Sequence, residues 1–325
     1  MAFGLSTLVW FLLLAISQPG TVQGRVVADF RECNSFFKDG NPPQGFENMG
    51  NLVRICQVYK NQYRFATLYR TDLRIPVYSA YKYQGNRRMV KGQRICNWCH
   101  EPQIDDPTAS PAMIHSKKKA SQKQAMVADY RKSGYEQGHL YPFDFNEGDD
   151  QRASFTLTNA IPMSGSANKK WYHYAEKFIK ILAEKCQNNG SQMYVVTGSA
   201  NYTGGSMSNK VAVPELIWSA ACCTSSGSPV VHSSTLNTKL DFSIAYMKEL
   251  LTNKNATRIS VRQLQRKLNV TIFQQCRGTS QNDEVENNRL VNALLNEIPR
   301  PRLKRKRQSS CVAQSYILPR QSNSK

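Results

Sequence analysis

From residue 168 onward the apolar positions Trp171, Tyr174, Ala175, Phe178, Ile179 and Leu182 recur at three- and four-residue steps. That spacing predicts a helix with one apolar face. Just ahead of it, residues 153–158 (ASFTLT) alternate small or polar side chains with apolar ones and are threonine-rich, which predicts a strand. Further upstream, Gly138-His139 lies where a short extended run meets a turn, because Pro142 forbids a helix there. Residues 135–180 therefore read as strand, loop, strand and helix, with His139 at the front and Asn168 opening the helix.

The flanking sequence supplies a scaffold. Residues 63–69 (YRFATLY) and 75–81 (IPVYSAY) are β-rich runs joined by a short polar link, which predicts a hairpin. Pro76 places the second run at a strand start or a sheet edge. Residues 193–198 read as a buried strand, and 211–214 and 216–223 as one or two more. Residues 261–268 and 284–298 carry helical patterns, and 25–61 are loop-rich, with a staple expected through Cys33 or Cys56. Without repeats or an internal linker, 25–298 read as one α+β domain followed by a disordered basic tail, 299–325.

The N-terminal 24 residues stand apart. Residues 8–16 are apolar but too few to cross a bilayer, and small residues follow up to Gly24, so this segment is expected to be a secretory signal cleaved after it. No later run approaches membrane-spanning length, and a secreted, soluble chain is the expectation. Sequons at Asn189, Asn201, Asn255 and Asn269 agree with an extracellular glycoprotein.

All nine cysteines follow the signal. An oxidising compartment pairs most of them, the odd count leaves one over, and Cys311 in the tail is the expected remainder. Cys96-Asn97-Trp98-Cys99-His100 matches the c-type haem attachment pattern, although a disulfide-bonded loop suits a glycosylated secreted chain better. A second Cys/His pair at zinc spacing is missing from the sequence.

The net charge of +20 and the pI of about 9.7 favour a polyanionic partner: nucleic acid, a heparan-type glycan or an acidic membrane. Lys117-Lys118-Lys119 adds a basic patch, and Lys304-Arg305-Lys306-Arg307 reads as a processing site or a polyanion anchor.

Residue chemistry narrows the partner. Phosphodiester hydrolysis needs a cation to take up charge on the phosphate and a base to make water nucleophilic. A histidine mostly neutral near pH 7 suits the base, and hard oxygen donors suit Mg²⁺ that keeps most of its waters. His139, Asn159, Asn168 and Glu176 are the right types. On an ideal helix Asn168 and Glu176 stand about 12 Å apart along the axis and share one side only loosely. Asn168 is therefore expected as the direct ligand, with Glu176 acting through bound water and Asn159 orienting metal waters or His139. Taken alone, Asn168 could be an ordinary helix cap and Glu176 a solvated partner of Lys180.

The runs His139-Leu140-Tyr141-Pro142, residues 155–163 (FTLTNAIPM), Asn168-Lys169-Lys170-Trp171 and Glu176 resemble the DNA/RNA non-specific endonuclease family. The match is sharp over 135–180 and looser over 60–275. The resemblance implies a central antiparallel sheet flanked by helices and a ββα-metal (His-Me finger) site. It also implies a secreted nuclease dependent on Mg²⁺ (or Mn²⁺), cutting DNA and/or RNA without sequence preference. His139 is then the general base, Asn168 the metal ligand, and Asn159 and Glu176 further catalytic residues, while Arg94, Gln137, Lys169 and Lys170 would face substrate. Where the family carries D-R-G-H, this chain has Glu136-Gln137-Gly138-His139, and a neutral amide steadies developing negative charge less well than a guanidinium. The alternative reading is thus a weak or inactive binder of nucleic acid or other polyanions on the same fold.

Overall fold

The computed structural model describes residues 25–85, 98–116, 121–225 and 240–298. The expected signal, Arg94, Lys117-Lys118-Lys119, Cys96, Cys311 and the basic tail lie outside the described residues.

The chain opens on β1 (Arg25–Val27) and an antiparallel meander of β2 (Leu52–Tyr59), β3 (Gln62–Arg70) and β4 (Ile75–Lys82). A connection follows with β5 (Cys99–His100), α1 (Pro102–Asp105), β6 (Ile114–His115) and α2 (Val127–Tyr130). Next come β7 (Glu136–His139), α3 (Gly148–Ala153), β8 (Ala160–Met163) and α4 (Gly165–Trp171), then a π turn over Tyr172–Glu176 and α5 (Lys177–Asn188). The remainder is β9 (Gln192–Ala200), a ribbon of β10 (Ser206–Met207) and β11 (Val211–Ala212), β12 (Leu216–Thr224), β13 (Phe242–Glu249), β14 (Thr257–Ile259), α6 (Val261–Leu268) and α7 (Gln281–Asn296).

Eight strands form one sheet in the order β1-β2-β3-β4-β9-β12-β13-β14. Every recorded pairing within it is antiparallel. The predicted hairpin is β3–β4, and Pro76 is the second residue of β4, where the register against β3 shifts. At that position its missing N–H costs little.

Both faces of the sheet are covered, so its central strands are buried on both sides, with polar side chains such as Ser79, Thr197 and Ser219 hydrogen-bonded within them. On β12, Leu216, Trp218, Ala220 and Cys222 face one core, which holds Phe30, Phe46, Val261 and Leu264. Ile217, Ala221 and Cys223 face the other, which holds Trp171, Ile179, Leu182 and Val291. The adjacent cysteines follow the same alternation: Cys222 bonds Cys276 beneath one face, and Cys223 bonds Cys186 of α5 beneath the other. Cys33–Cys56 staples the N-terminal loops to β2, as the sequence led us to expect.

One expected strand is misplaced. Residues 153–158 end α3 and enter a 3-10 turn, Leu157–Asn159, and the strand itself starts at Ala160. Thr156 and Thr158 do not alternate between two faces but send their hydroxyls into one buried polar network.

Candidate active site

β7 and β8 pair antiparallel with Glu136 opposite Met163 and His139 opposite Ala160, and α4 starts directly after β8. Gly138 is required by this packing: a Cβ there would lie 2.2 Å from Met163 Sδ. Helix α4 is capped by Ser164, whose Oγ accepts from the Ala167 N–H at 3.2 Å. Asn168 lies within the helix, and its carboxamide is free of capping duty.

His139 sits in an aromatic cage. Its ring centroid lies 4.7 Å from Trp98, 4.9 Å from Phe155 and 5.9 Å from Phe143. The Nε2 atom is buried and has no hydrogen-bond partner. Burial disfavours the imidazolium and pushes the pKa down from 6.5 to about 3, so the ring is neutral at physiological pH.

Asn168 is oriented by a carboxylate. Its Nδ2 donates to Glu136 Oε2 at 2.9 Å, so its Oδ1 is directed away from Glu136. Gly165 makes room for this contact, since a Cβ there would lie 2.8 Å from Glu136 Oε1.

Glu176 ends the π turn. A π turn takes about one residue more than the 3.6 of an α turn, so one of each spans about eight residues. Eight residues separate Asn168 from Glu176, which brings the two closer to one helix face than an uninterrupted α-helix does. The Glu176 carboxyl is pushed up to about 8, first by burial and then by the charge of Asp144. Lys180 lies 3.8 Å from that same Asp144.

Asn159 has another task. Its Oδ1 accepts from Ser79 Oγ and from the Tyr141 N–H, each at 2.9 Å, while Nδ2 donates to the carbonyls of Tyr141 and Ser154. Its own carbonyl accepts from the Leu140 N–H. With the amide saturated by protein, Asn159 has nothing left to orient metal waters, one of its two expected roles; it clamps the chain just beyond His139, which leaves the other, towards His139. Among the expected substrate contacts, Lys169 is exposed, Gln137 is half-buried and Lys170 Nζ donates to Asn253 Oδ1 at 2.6 Å.

Sequence reasoning missed Glu136 as a holder of Asn168, and it missed Trp98, Phe143 and Phe155 as the walls around His139. A strand does place Glu136 and His139 on opposite faces, but its pattern does not say what each face meets.

A divalent cation suits this donor set. One neutral amide oxygen, fixed by Glu136 and followed two turns later by Glu176, fits a hard ion that keeps most of its waters. Among the described residues no cluster of three or more His, Cys, Asp or Glu side chains offers a denser cage.

A hairpin running into a helix, with a histidine ending the first strand and an asparagine on the helix, is the ββα-metal arrangement of divalent-metal-dependent nucleases. The chain belongs to the DNA/RNA non-specific endonuclease family, whose profile matches residues 42–279. It is 38% identical over 238 residues to the human endonuclease domain-containing 1 protein, covering 69% of this chain and 46% of that protein. Against the mouse endonuclease domain-containing 1 protein it is 35% identical over 259 residues, covering 74% and 50%. The chain thus spans about half the length of the curated relatives it matches. A chain in the crystal structure of the EndoG/EndoGI complex is similar at 15% identity with a TM-score of 0.47, over 72% of this chain and 91% of that one.

Proposed function

We propose that this protein is a metal-dependent endonuclease that hydrolyses phosphodiester bonds of DNA and RNA without sequence preference. The observation that carries the reading is the Glu136–Asn168 hydrogen bond, which presents an oriented amide oxygen on the helix after the hairpin that ends in a neutral histidine.

With Nε2 buried among aromatic rings and without a partner, we assign the proton of the neutral imidazole to that nitrogen. The lone pair then sits on Nδ1, which takes a proton from the attacking water. Asn168 would hold Mg²⁺ or Mn²⁺ through Oδ1, and Glu176 would act through metal-bound water. The ion supplies charge neutralisation at the phosphate and leaving oxygen. Lys169 and the basic surface bind the backbone of either nucleic acid by charge, and Gln137 by hydrogen bonding, rather than by base identity, which is why no sequence preference is expected. Lys170 already has a protein partner and contributes mainly its charge.

Secretion and glycosylation belong to the same reading. Asn201, Asn255 and Asn269 are exposed. Asn189 is half-buried with its Nδ2 on the Lys185 carbonyl, and the Ser191 of its sequon is buried, so occupancy is expected at the first three.

Plasmid and RNA digestion with Mg²⁺ or Mn²⁺, with and without EDTA, tests the activity. Wild type cleaves only with metal, and His139→Ala and Asn168→Ala do not cleave. The second reading, a binder without catalysis, draws on Gln137 standing where the family has arginine. It prevails if clean wild-type protein retains nucleic acid on a filter yet never cuts it.

A further inference from the structure

Glu101 follows β5 and is 4% exposed. Its Oε1 accepts from Thr156 Oγ1 at 3.0 Å. Its backbone is clamped by Gln124, whose Oε1 accepts from the Glu101 N–H at 2.9 Å and whose Nε2 donates to the Glu101 carbonyl at 2.7 Å. The two chain segments joined by the Glu101–Thr156 bond are those that carry Trp98 and Phe155. They also meet through the backbone, where the Cys99 N–H donates to the Phe155 carbonyl at 2.8 Å. Glu101 therefore rivets together two walls of the cage around His139.

The same carboxyl ends a directed chain of buried hydrogen bonds. The Tyr141 N–H must donate to Asn159 Oδ1, which fixes that atom as an acceptor. Ser79 then donates to Asn159, and its own oxygen is left for the Thr67 hydroxyl at 3.2 Å. Since a hydroxyl has one proton, Thr67 must accept from Gln57 Nε2, also at 3.2 Å. The second Gln57 N–H goes to Thr158 at 2.8 Å, Thr158 to Thr156 at 3.2 Å, and Thr156 to Glu101. One end of the chain clamps the backbone just past His139, and the other rivets its cage.

We propose that Glu101 is a positioning residue for His139: its bond to Thr156 holds the Trp98 and Phe155 walls together, and a negative charge placed on it loosens them. This inference rests on the endonuclease reading for its catalytic consequence but not for its structural one. The titratable groups placed against Glu101 are the Cys99 thiol, which the Glu101 charge pushes up further, and Asp105, which shares Gln124 Nε2 with the Glu101 backbone carbonyl. No lysine or arginine forms an ion pair with it among the described residues. Burial, partly offset by Thr156, pushes the carboxyl up to about 8. In mildly alkaline solution the charge arrives with the Thr156 hydroxyl as its one side-chain donor and no ion-pair partner among the described residues, and the carboxylate draws water between the two segments.

The test uses full-length protein carrying ¹³C-labelled histidine, with the His139 resonance assigned by its loss in His139→Ala. In wild type the His139 signal should move or broaden as pH rises from 7 to 9, while in Glu101→Gln it should stay at its neutral-pH position. Glu101→Leu should raise the His139 pKa from about 3 towards 6.5, and should lower kcat about tenfold with KM within about twofold. A wild-type signal flat across pH 7 to 9, or one titrating identically in Glu101→Gln, overturns the proposal. So does a Glu101→Leu protein with the wild-type His139 pKa, and if that variant does not fold, the comparison of wild type with Glu101→Gln decides. Absence of cleavage by wild type at every pH would defeat the endonuclease reading and leave the resonance test standing.

Discussion

Asn168 does not choose its own orientation: Glu136 holds its Nδ2 at 2.9 Å, and the two residues lie on different elements, β7 and α4. A carboxamide is nearly symmetrical in shape, so without Glu136 it can turn its NH₂ towards a cation as readily as its oxygen. Partners that orient ligands typically change metal affinity about 10- to 100-fold. Glu136→Ala should weaken Mn²⁺ binding by that factor in a calorimetric titration, and Glu136→Gln, which can still accept the bond, by less. Equal affinity in Glu136→Ala and wild type would remove the orienting role.

The aromatic cage sets the basicity of His139. His139 is half-buried, and Trp98→Ala opens its ring further to water, which should raise its pKa from about 3 towards 6.5, read from the same histidine resonance. The sign of the stability effect follows by linkage. Between pH 6.5 and 3 the unfolded chain binds a proton that the folded one refuses, so stability falls as pH drops through that window. Above pH 6.5 the group contributes no pH dependence. Urea unfolding at pH 7 and pH 5 should show this loss in wild type and a smaller one in Trp98→Ala.

Asn159 is an element of stability first. Removing its carboxamide orphans the Tyr141 N–H and the carbonyls of Tyr141 and Ser154, all deep in the core, and leaves the Ser79 hydroxyl with Thr67 alone. Asn159→Ala should cost roughly 3–5 kcal/mol by urea unfolding at pH 7. A loss below about 1 kcal/mol would mean that water replaces the clamp.

Gly138→Ala forces a methyl group against Met163 Sδ, which would lie 2.2 Å away. The expected cost is about 1–3 kcal/mol. Met163→Ala in the same chain should recover part of it, so that the double variant is more stable than additivity predicts.

Much of the scaffold was legible because its periodicities are strong. The β3–β4 hairpin, β9, β12 and α6 fall where their patterns place them. Helix α7 begins at Gln281, earlier than the apolar pattern shows, because a Ser280–Asp283 capping box starts it. β2 gave no clear signal, since buried Gln57 and half-buried Arg54 interrupt its apolar run, and Gln57 is there to feed a polar chain. The misread segment 153–158 failed for the same reason: buried threonines look like strand formers until their hydroxyl partners are known. At the site, residue types were legible and geometry was not. Asn168 read as the helix opener because Ser164, the actual cap, lies four residues earlier and looks like loop. The π turn leaves no compositional mark, so the spacing of Asn168 and Glu176 read as a poor fit to an ideal helix when the helix is in fact locally widened.

The two neighbouring cysteines of β12 point to opposite sides of the sheet, so they cannot bond each other without turning the strand over. Each consequently fastens one layer: Cys223 holds the helix that continues from the Asn168 turn, and Cys222 the segment beyond α6, on the face that Cys33–Cys56 also staples. A graded reductant can therefore unbutton the molecule one side at a time, and mass mapping of the released thiols would tell which layer had come loose.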